Sequence, residues 1–248
     1  MDPSLPFPTR GRTFTSQRRV RLADRDASGR VRLDALARFL QDVAIDDVQE
    51  TGWGLPWHLW FIRRIQLEVV KPFLVDRKIE LVTWCSALGA IAAGRRWSLV
   101  GDEGGRMEVD SVWIHLGPDQ RPARIEGFGV YSDATDGRAV STKLGLPDPP
   151  SQALRRSWPL RAADVDIHGH VNNAVYWQAV EDVVSAAGLD TRAPHTAWLD
   201  FREPIDLGDD VELAESWEGP ALALGFCVDG SVRAVARVEP TREEEGRG

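Results

Sequence analysis

The sequence predicts an α+β protein made of two similar halves, in each of which an antiparallel sheet wraps around one long helix. Two observations carry this prediction. A motif near the start of the chain recurs in the second half, and each copy precedes an amphipathic helix pattern that is followed by several β-rich runs. Helices and strands segregated in this way are typical of α+β domains. The 248 residues suffice for one large domain or two small ones.

The repeat aligns without a gap. Residues 21–43, RLADRDASGRVRLDALARFLQDV, lie over residues 161–183, RAADVDIHGHVNNAVYWQAVEDV, and eight of the 23 positions are identical. Further on, KPFLVDRKIEL (71–81) lies over EPIDLGDDVEL (203–213), so the second half is somewhat shorter between the two motifs. Two similar halves in one chain indicate a duplicated structural unit.

A long helix is predicted in each half. In residues 33–50 the apolar side chains recur at spacings of three and four, which places them on one stripe, and Gly52 is suited to end the helix. The second helix is predicted to begin at Asn172 or Asn173, both good N-caps, and to end at Gly188.

The β-rich runs that follow the helices complete each half. They are WFIRRIQLEVV, KIELVTW, RRWSLV and EVDSVWIHL in the first half, and TAWLDF, DVELAESW, ALALGFCV and SVRAVARVE in the second. The proline-rich stretch between the halves lacks periodicity, which is typical of a linker. We therefore expect a first unit over 10–140, a linker over 141–157, a second unit over 158–240 and a disordered tail over 241–248.

Composition and charge exclude several classes of protein. The net charge of −8 argues against nonspecific nucleic-acid binding, which depends on neutralising phosphates. No apolar run approaches the roughly 20 residues of a membrane span. The first residues lack the apolar core of a secretory signal, and the two cysteines have no paired spacing, so we expect a cytoplasmic protein.

The stretch DVDIHGHVNN (164–173) holds two of the five histidines, two aspartates and two asparagines directly before the second predicted helix. This stretch resembles a motif of the acyl-acyl-carrier-protein thioesterases. The duplication strengthens the resemblance, as do two further strings, WFIRRIQLEVVKPFLVDRKIELVTW in the first half and LDFREPIDLGDDVEL in the second. The resemblance extends over roughly residues 14 to 238. It implies a tandem (double) hot-dog fold, with two antiparallel sheets each wrapped around a long central helix, the two units lying side by side with their sheets joined.

The resemblance also implies site residues, all in the second half. It places an aspartate at Asp166, a histidine at His170 and a glutamate at Glu203. Position 168, an asparagine in the family, is His168 here, so we include His168 as a further candidate catalytic residue. The first half has Arg30 in place of His170, which agrees with the family, where the first half mainly shapes the acyl pocket.

One departure from the family limits which group can attack the thioester carbon. A cysteine after the glutamate has been proposed as the nucleophile in plant members, and here that position is Pro204. Two mechanisms then remain, water activated by Glu203 and His170 or direct attack by the carboxylate of Asp166. We favour activated water, with Asp166 orienting the site.

The same stretch offers groups that would bind the substrate. Free backbone N–H groups at a helix start would stabilise the developing negative charge on a thioester oxygen, and we expect the amides of Val171 and Asn172 to do so. Gly169 would permit a close approach of backbone to substrate. One of Asn172 and Asn173 would cap the helix while the other supports the site. Three tryptophans after the first helix are expected to control acyl length: Trp53, Trp57 and Trp60.

Other interpretations of these residues stay open. The two histidines of the motif could hold zinc, but a catalytic zinc site usually takes three protein ligands and no third lies nearby in sequence, so we expect no metal and no cofactor. The chain could also be a hot-dog hydratase or dehydratase, or a non-catalytic acyl-thioester-binding protein.

The expected substrate is a fatty acyl thioester of acyl carrier protein or coenzyme A, which the enzyme would hydrolyse to the free acid and the carrier thiol. Residues 1–100 hold 16 Lys and Arg against 11 Asp and Glu, and this positive balance would suit an acidic carrier protein. Because one chain already contains two units, a monomer and a homodimer are both compatible with the sequence.

Overall fold

The computed structural model describes residues 7–52 and 59–241, and over these ranges the chain forms one antiparallel sheet of ten strands. The strands are β1 Thr13–Arg19, β2 Trp60–Lys71, β3 Lys78–Leu88, β4 Ala92–Gly101, β5 Arg106–His115, β6 Leu154–Ser157, β7 His195–Phe201, β8 Val211–Glu218, β9 Ala221–Val228 and β10 Ser231–Pro240. Their order across the sheet is β1-β3-β4-β5-β2-β7-β10-β9-β8-β6. The expected tail over 241–248 lies, apart from residue 241, outside the described residues.

The two antiparallel sheets that the resemblance implies are therefore joined into one continuous sheet. Each half contributes five neighbouring strands, and the halves join through antiparallel pairing of β2 with β7. The physical reason is that two separate sheets would each leave a row of unpaired backbone N–H and C=O groups at an edge strand, and mutual pairing satisfies both rows.

An approximate two-fold axis relates the halves and passes through this seam. Gln66 pairs with Trp198, and these two residues correspond to each other when the alignment of 71–81 over 203–213 is extended toward the N-terminus. On either side of this pair, Arg64 pairs with Asp200 and Glu68 pairs with Thr196. Arg64 corresponds in sequence to Thr196, and Glu68 corresponds to Asp200, so the axis exchanges these two pairs. Residues that correspond in sequence are consequently placed on opposite sides of one axis, and each half faces the other in the same way.

Two long helices pack against each other on this sheet. The helix α1, Leu33–Thr51, ends at Gly52, which adopts a left-handed φ of 62° as a C-cap, so that prediction is confirmed. A one-turn helix α2 spans Gly129–Ser132. The helix α3, Val175–Ala186, begins two to three residues later than predicted, because the backbone at Asn172 and Asn173 forms a turn before the helix.

One continuous hydrophobic core includes buried side chains of α1, of α3 and of both halves of the sheet. The largest fully buried side chains are Trp84, Trp97, Trp177, Tyr131, Phe73 and Phe226. No helix in residues 7–52 and 59–241 is both long and apolar enough to cross a membrane.

The stretch expected to link the halves crosses the seam and is fastened there. The buried carboxylate of Asp200 accepts hydrogen bonds from the amides of Gly145 (2.8 Å) and Leu146 (2.9 Å), and it forms an ion pair with Arg64 at 2.6 Å. The last four residues of the stretch form β6, which pairs with β8 and completes the outer edge of the second half.

Candidate active site

The two copies of the sequence motif fold into the same turn. In the second half the amide of Asp166 donates to the carbonyl of His170 (3.0 Å) and the amide of Gly169 donates to the carbonyl of Asp166 (3.0 Å). The first half repeats these bonds at Asp26, at 2.8 and 3.0 Å. Both turn glycines have a positive φ, 82° at Gly169, so the residue type is required by the turn itself.

A cavity of about 650 Å³ lies between α1, the first half of the sheet and the turn of the second half. Its apolar wall comes mainly from the first half: Ala44, Ile45, Val48, Trp60, Phe61, Ile62, Ala93, Trp113, Ile114 and Phe128. Polar groups from both halves also line this cavity, and those of the second half include the turn residues Asp166, His168 and His170. A mostly apolar cavity with a few convergent polar groups is typical of a ligand site.

The charged and polar groups of the apolar wall are paired behind it. Arg95 and Tyr131 line the cavity, and the buried carboxylate of Asp47 accepts a hydrogen bond from each, at 2.8 and 3.1 Å. Arg12 adds a third contact to Asp47 at 2.8 Å. Because Asp47 engages these polar ends, an apolar chain can lie along this wall at a smaller desolvation cost.

Most of the expected site residues line this one cavity. They are Trp60, Asp166, His168, His170, Val171, Asn172, Asn173 and Glu203. Gly169 is not among the residues that line it, and an added Cβ there would meet no atom within 4 Å. The positive φ of the turn accounts for the glycine at this position, and a close approach of its backbone to substrate stays a prediction. Trp53 and Trp57 lie outside the described residues.

His170 is held by an acidic partner that was not among the expected site residues. Its ring Nδ1 lies 2.5 Å from Oδ1 of Asp206, and the two residues also form a short antiparallel bridge. The side chain of His170 is 37% exposed, so water reaches it. A carboxylate on Nδ1 fixes the ring's orientation and leaves Nε2 as the nitrogen available for proton transfer.

Glu203 lines the same cavity but is held by a different partner. Its carboxylate forms an ion pair with the guanidinium of Arg233, and its amide donates to the carbonyl of Arg233 at 3.1 Å. No hydrogen bond joins Glu203 to His170 within the described part of the chain. The structure thus brings the two residues to one cavity without bonding them to each other.

Asp166 and Asn172 are bonded to the turn and to each other. Oδ1 of Asp166 accepts from the amide of His168 (2.9 Å), and Oδ2 accepts from the side-chain amide of Asn172 (3.3 Å). Oδ1 of Asn172 accepts from the amide of Ala174 at 2.9 Å, just before α3. Both oxygens of Asp166 are thus engaged, which suits a residue that orients the site better than one that attacks the substrate. The ring of His168 packs on Phe61 at 5.1 Å.

The two amides expected to bind the thioester oxygen are already occupied. The amide of Val171 donates to the carbonyl of Ile205 and that of Asn172 donates to the carbonyl of Asp164, each at 2.8 Å. That expectation is wrong, because these amides serve backbone pairing between the turn and the strand ends. Within residues 7–52 and 59–241 the amides of Asn173 and Tyr176 have no acceptor, and both residues line the cavity.

The sequence contained signals for two of the residues that it did not predict. Asp206 and Tyr176 take the positions of Leu74 and Leu36 in the aligned first half, so a polar group replaces an apolar one at each. Burial raises the pKa of the Tyr176 hydroxyl, and the charges of Asp206, Asp209 and Asp166 add to this effect. Tyr176 therefore stays a neutral hydroxyl at the cavity.

Thiol chemistry is disfavoured in this cavity. Cys85 lines it, and burial raises the pKa of its thiol to about 11, so the thiolate is scarce at neutral pH. Among the residues that the structure describes, no group of three His, Cys, Asp or Glu side chains is arranged to hold a metal ion.

Comparisons with known proteins agree with this architecture. Residues 11–126 match the family model of the acyl-ACP thioesterase N-terminal domain, and residues 148–232 match that of the C-terminal domain. An uncharacterized protein of Mycobacterium tuberculosis is 28% identical over 232 residues, or 92% of each chain. The oleoyl-acyl carrier protein thioesterase 2 of Arabidopsis thaliana is 25% identical over 216 residues, which cover 76% of this chain and 58% of that protein.

Solved structures share the fold. The 12:0-ACP thioesterase from Umbellularia californica superimposes with a TM-score of 0.76 at 19% identity, covering 95% of this chain and 100% of that one. An acyl-ACP thioesterase from Bacteroides thetaiotaomicron gives the same TM-score and identity, with 91% and 96% covered. The two family models together span most of both halves. The chain belongs to the acyl-ACP thioesterase family, whose members are thioester hydrolases.

Proposed function

We propose that this protein hydrolyses fatty acyl-ACP thioesters with a water molecule activated by His170. The observation that carries the proposal is the pairing of His170 with Asp206 at the polar side of an apolar cavity. A histidine fixed through Nδ1 and open to solvent has the arrangement of a general base with its orienting carboxylate.

The reaction follows from these groups. Nε2 of His170 takes a proton from water, and the resulting hydroxide attacks the thioester carbon. Negative charge develops on the carbonyl oxygen, which the open amides of Asn173 and Tyr176 at the start of α3 bind. The intermediate then expels the thiolate of the carrier, and the protonated His170 returns its proton to that sulfur. The products are the free acid and the carrier thiol.

Asp166 and Glu203 have supporting roles in this proposal. Asp166 holds the side chain of Asn172, and Asn172 shapes the turn before the open amides. Glu203, which is paired with Arg233, accepts the second hydrogen bond of the attacking water. Direct attack by Asp166 is the less favourable route, because the turn would have to release its carboxylate first.

Positive groups at the cavity support a carrier protein as the donor of the acyl group. Arg63 and Arg202 line the cavity beside Glu203, and Arg202 also forms an ion pair with the exposed side chain of Asp148. The guanidinium of Arg63 donates to the carbonyls of Phe201 and Arg202, at 2.8 and 3.0 Å. Cationic side chains at the cavity would steer an acidic carrier protein toward the site. Coenzyme A also carries negative charge, so acyl-CoA is the second substrate to test.

The test is a hydrolysis assay on a ladder of acyl lengths, each attached to ACP and to coenzyme A. Release of free thiol is followed together with the absorbance of an enoyl product. We expect thiol release, a loss of roughly 10²–10⁴-fold in kcat for His170→Ala, and declining kcat/KM for acyl-ACP as salt rises. A change in enoyl absorbance without thiol would show a hydratase or dehydratase. Tight binding with neither signal would show a binding protein.

A further inference from the structure

A buried ion-pair cluster in the first half occupies the position that corresponds to the candidate active site. The carboxylate of Glu181, on α3, accepts two hydrogen bonds from the guanidinium of Arg30, at 2.5 and 3.1 Å. Its Oε1 also accepts from the amide of Leu33, the first residue of α1, at 2.7 Å. Arg30 and Glu181 are 3% and 8% exposed. A carboxylate oxygen from the opposite half thus caps α1 and closes this turn.

Each member of that cluster has a counterpart in the second half. In the gapless alignment of 21–43 over 161–183, Arg30 corresponds to His170 and Leu33 corresponds to Asn173. Glu181 of α3 corresponds in the same alignment to Gln41 of α1. Because the two-fold axis at the sheet seam exchanges the halves, the contact of Glu181 with the first turn predicts that Gln41 faces the second turn.

The second half leaves this contact open. Gln41, His170 and Asn173 all line the 650 Å³ cavity. In the described ranges, neither the side chain of Gln41 nor the amide of Asn173 makes a hydrogen bond. The helix start differs accordingly, because α1 begins at Leu33 itself whereas α3 begins only at Val175, two positions after Asn173.

The exchange of glutamate for glutamine explains why one turn is closed and the other is open. A carboxylate is attracted by the positive end of a helix and by a neighbouring cation, and it forms strong charge-assisted bonds with both. A neutral amide gains less from the same neighbours, so a ligand oxygen can displace it. Its NH₂ group also donates hydrogen bonds, which a carboxylate cannot do.

We propose that Gln41 is a further residue of the active site, whose side-chain NH₂ donates a hydrogen bond to the thioester oxygen bound at the amide of Asn173. This inference rests on the proposed hydrolysis. In it, the thioester oxygen takes the place that Oε1 of Glu181 has at Leu33 in the first half. Substrate binding is thereby shared between the halves, since Gln41 comes from the first and His170 from the second.

Two substitutions at Gln41 test this proposal in opposite directions. Gln41→Ala removes one donor to the developing oxyanion, and we expect kcat to fall roughly 10²–10³-fold with little change in KM. Gln41→Glu rebuilds the closed arrangement of the first half. We expect it to lower kcat at least as far, to raise KM because the substrate must displace a carboxylate, and to raise Tm by roughly 1 to 4 °C through the new cap on α3.

The matched controls are Gln49→Ala and Gln49→Glu, because Gln49 lies exposed on the same helix. Both should keep the wild-type kcat and KM, and neither should raise the Tm, because Gln49 lies in the last turn of α1, where a carboxylate is not favoured. Wild-type hydrolysis together with an unchanged kcat in Gln41→Ala would overturn this inference alone, as would a lowered Tm in Gln41→Glu. A wild-type protein that releases no thiol would overturn the proposed function and, with it, the catalytic role of Gln41.

Discussion

The turn around Arg30 and the turn around His170 have one backbone and two different environments. The first is sealed by a carboxylate from the other half and serves as part of the core. The second has a partly exposed histidine beside a solvent-facing aspartate, at the edge of a cavity. The comparison teaches that a duplicated scaffold keeps its hydrogen-bonded frame while a few side chains decide whether a turn is structural or functional.

The largest effect on stability should come from breaking the closed turn. Arg30→Met leaves the buried carboxylate of Glu181 and the neighbouring carboxylate of Asp26 without their cation, and we expect a loss of about 3–5 kcal/mol in the free energy of unfolding. Urea unfolding measures this loss, with the exposed arginine variant Arg192→Met as the control. Hydrolysis per folded molecule should remain. A variant that unfolds at the wild-type urea concentration would show that the cluster is not structural.

A substitution in the open turn around His170 should lower activity and leave stability nearly unchanged. Asp206→Asn removes the carboxylate that orients His170, and we expect kcat to fall roughly 10- to 100-fold, the size of effect found for the partners that orient metal-binding histidines. The measurement is steady-state thiol release, and the Tm should change little because both side chains are exposed. Asp210→Asn, a nearby exposed position, is the control. Full activity in Asp206→Asn would remove Asp206 from the mechanism.

Acid should weaken the closed turn through Asp26. Burial raises the pKa of Asp26, but hydrogen bonds from Ser28 and the charge of Arg30 outweigh it, and the pKa is lowered overall. A lowered folded-state pKa stabilises the fold above the unfolded-state value and loses that contribution as pH falls through the folded-state value. Asp26→Asn should therefore be about 1 kcal/mol less stable than wild type at pH 7. The gap should shrink below about pH 4; a gap independent of pH would contradict this assignment.

Much of the fold could be predicted from the sequence because the signals are local. The helix α1 and its stop at Gly52 follow from spacing and from one residue type, and the duplication is visible as identities in the aligned motifs. The resemblance implies that the two sheets join, but the strands that join them could not be predicted, because pairing of β2 with β7 depends on contacts between strands distant in the chain. The local propensity of a residue to form a strand does not tell which edge strands of two sheets will pair with each other.

The candidate site also has a part that the sequence predicts and a part that only the folded structure shows. The motif identified His170, and the structure places it with Glu203 at one cavity. The occupied amides of Val171 and Asn172 depend on acceptors at Ile205 and Asp164, and only the folded turn reveals these bonds. The roles of Asp206 and Gln41 become visible only when the two-fold axis is known, because each residue differs from its counterpart in the other half.

Amide hydrogen exchange at Leu33 and Asn173 tests the central difference between the two turns most directly. NMR should find the Leu33 amide strongly protected, because Glu181 accepts its hydrogen bond in the core, and the Asn173 amide in rapid exchange. A non-hydrolysable acyl-ACP analogue should protect Asn173 and leave Leu33 as it was. Equal protection of the two amides in the free protein, or an Asn173 amide that the bound analogue does not protect, would contradict this account.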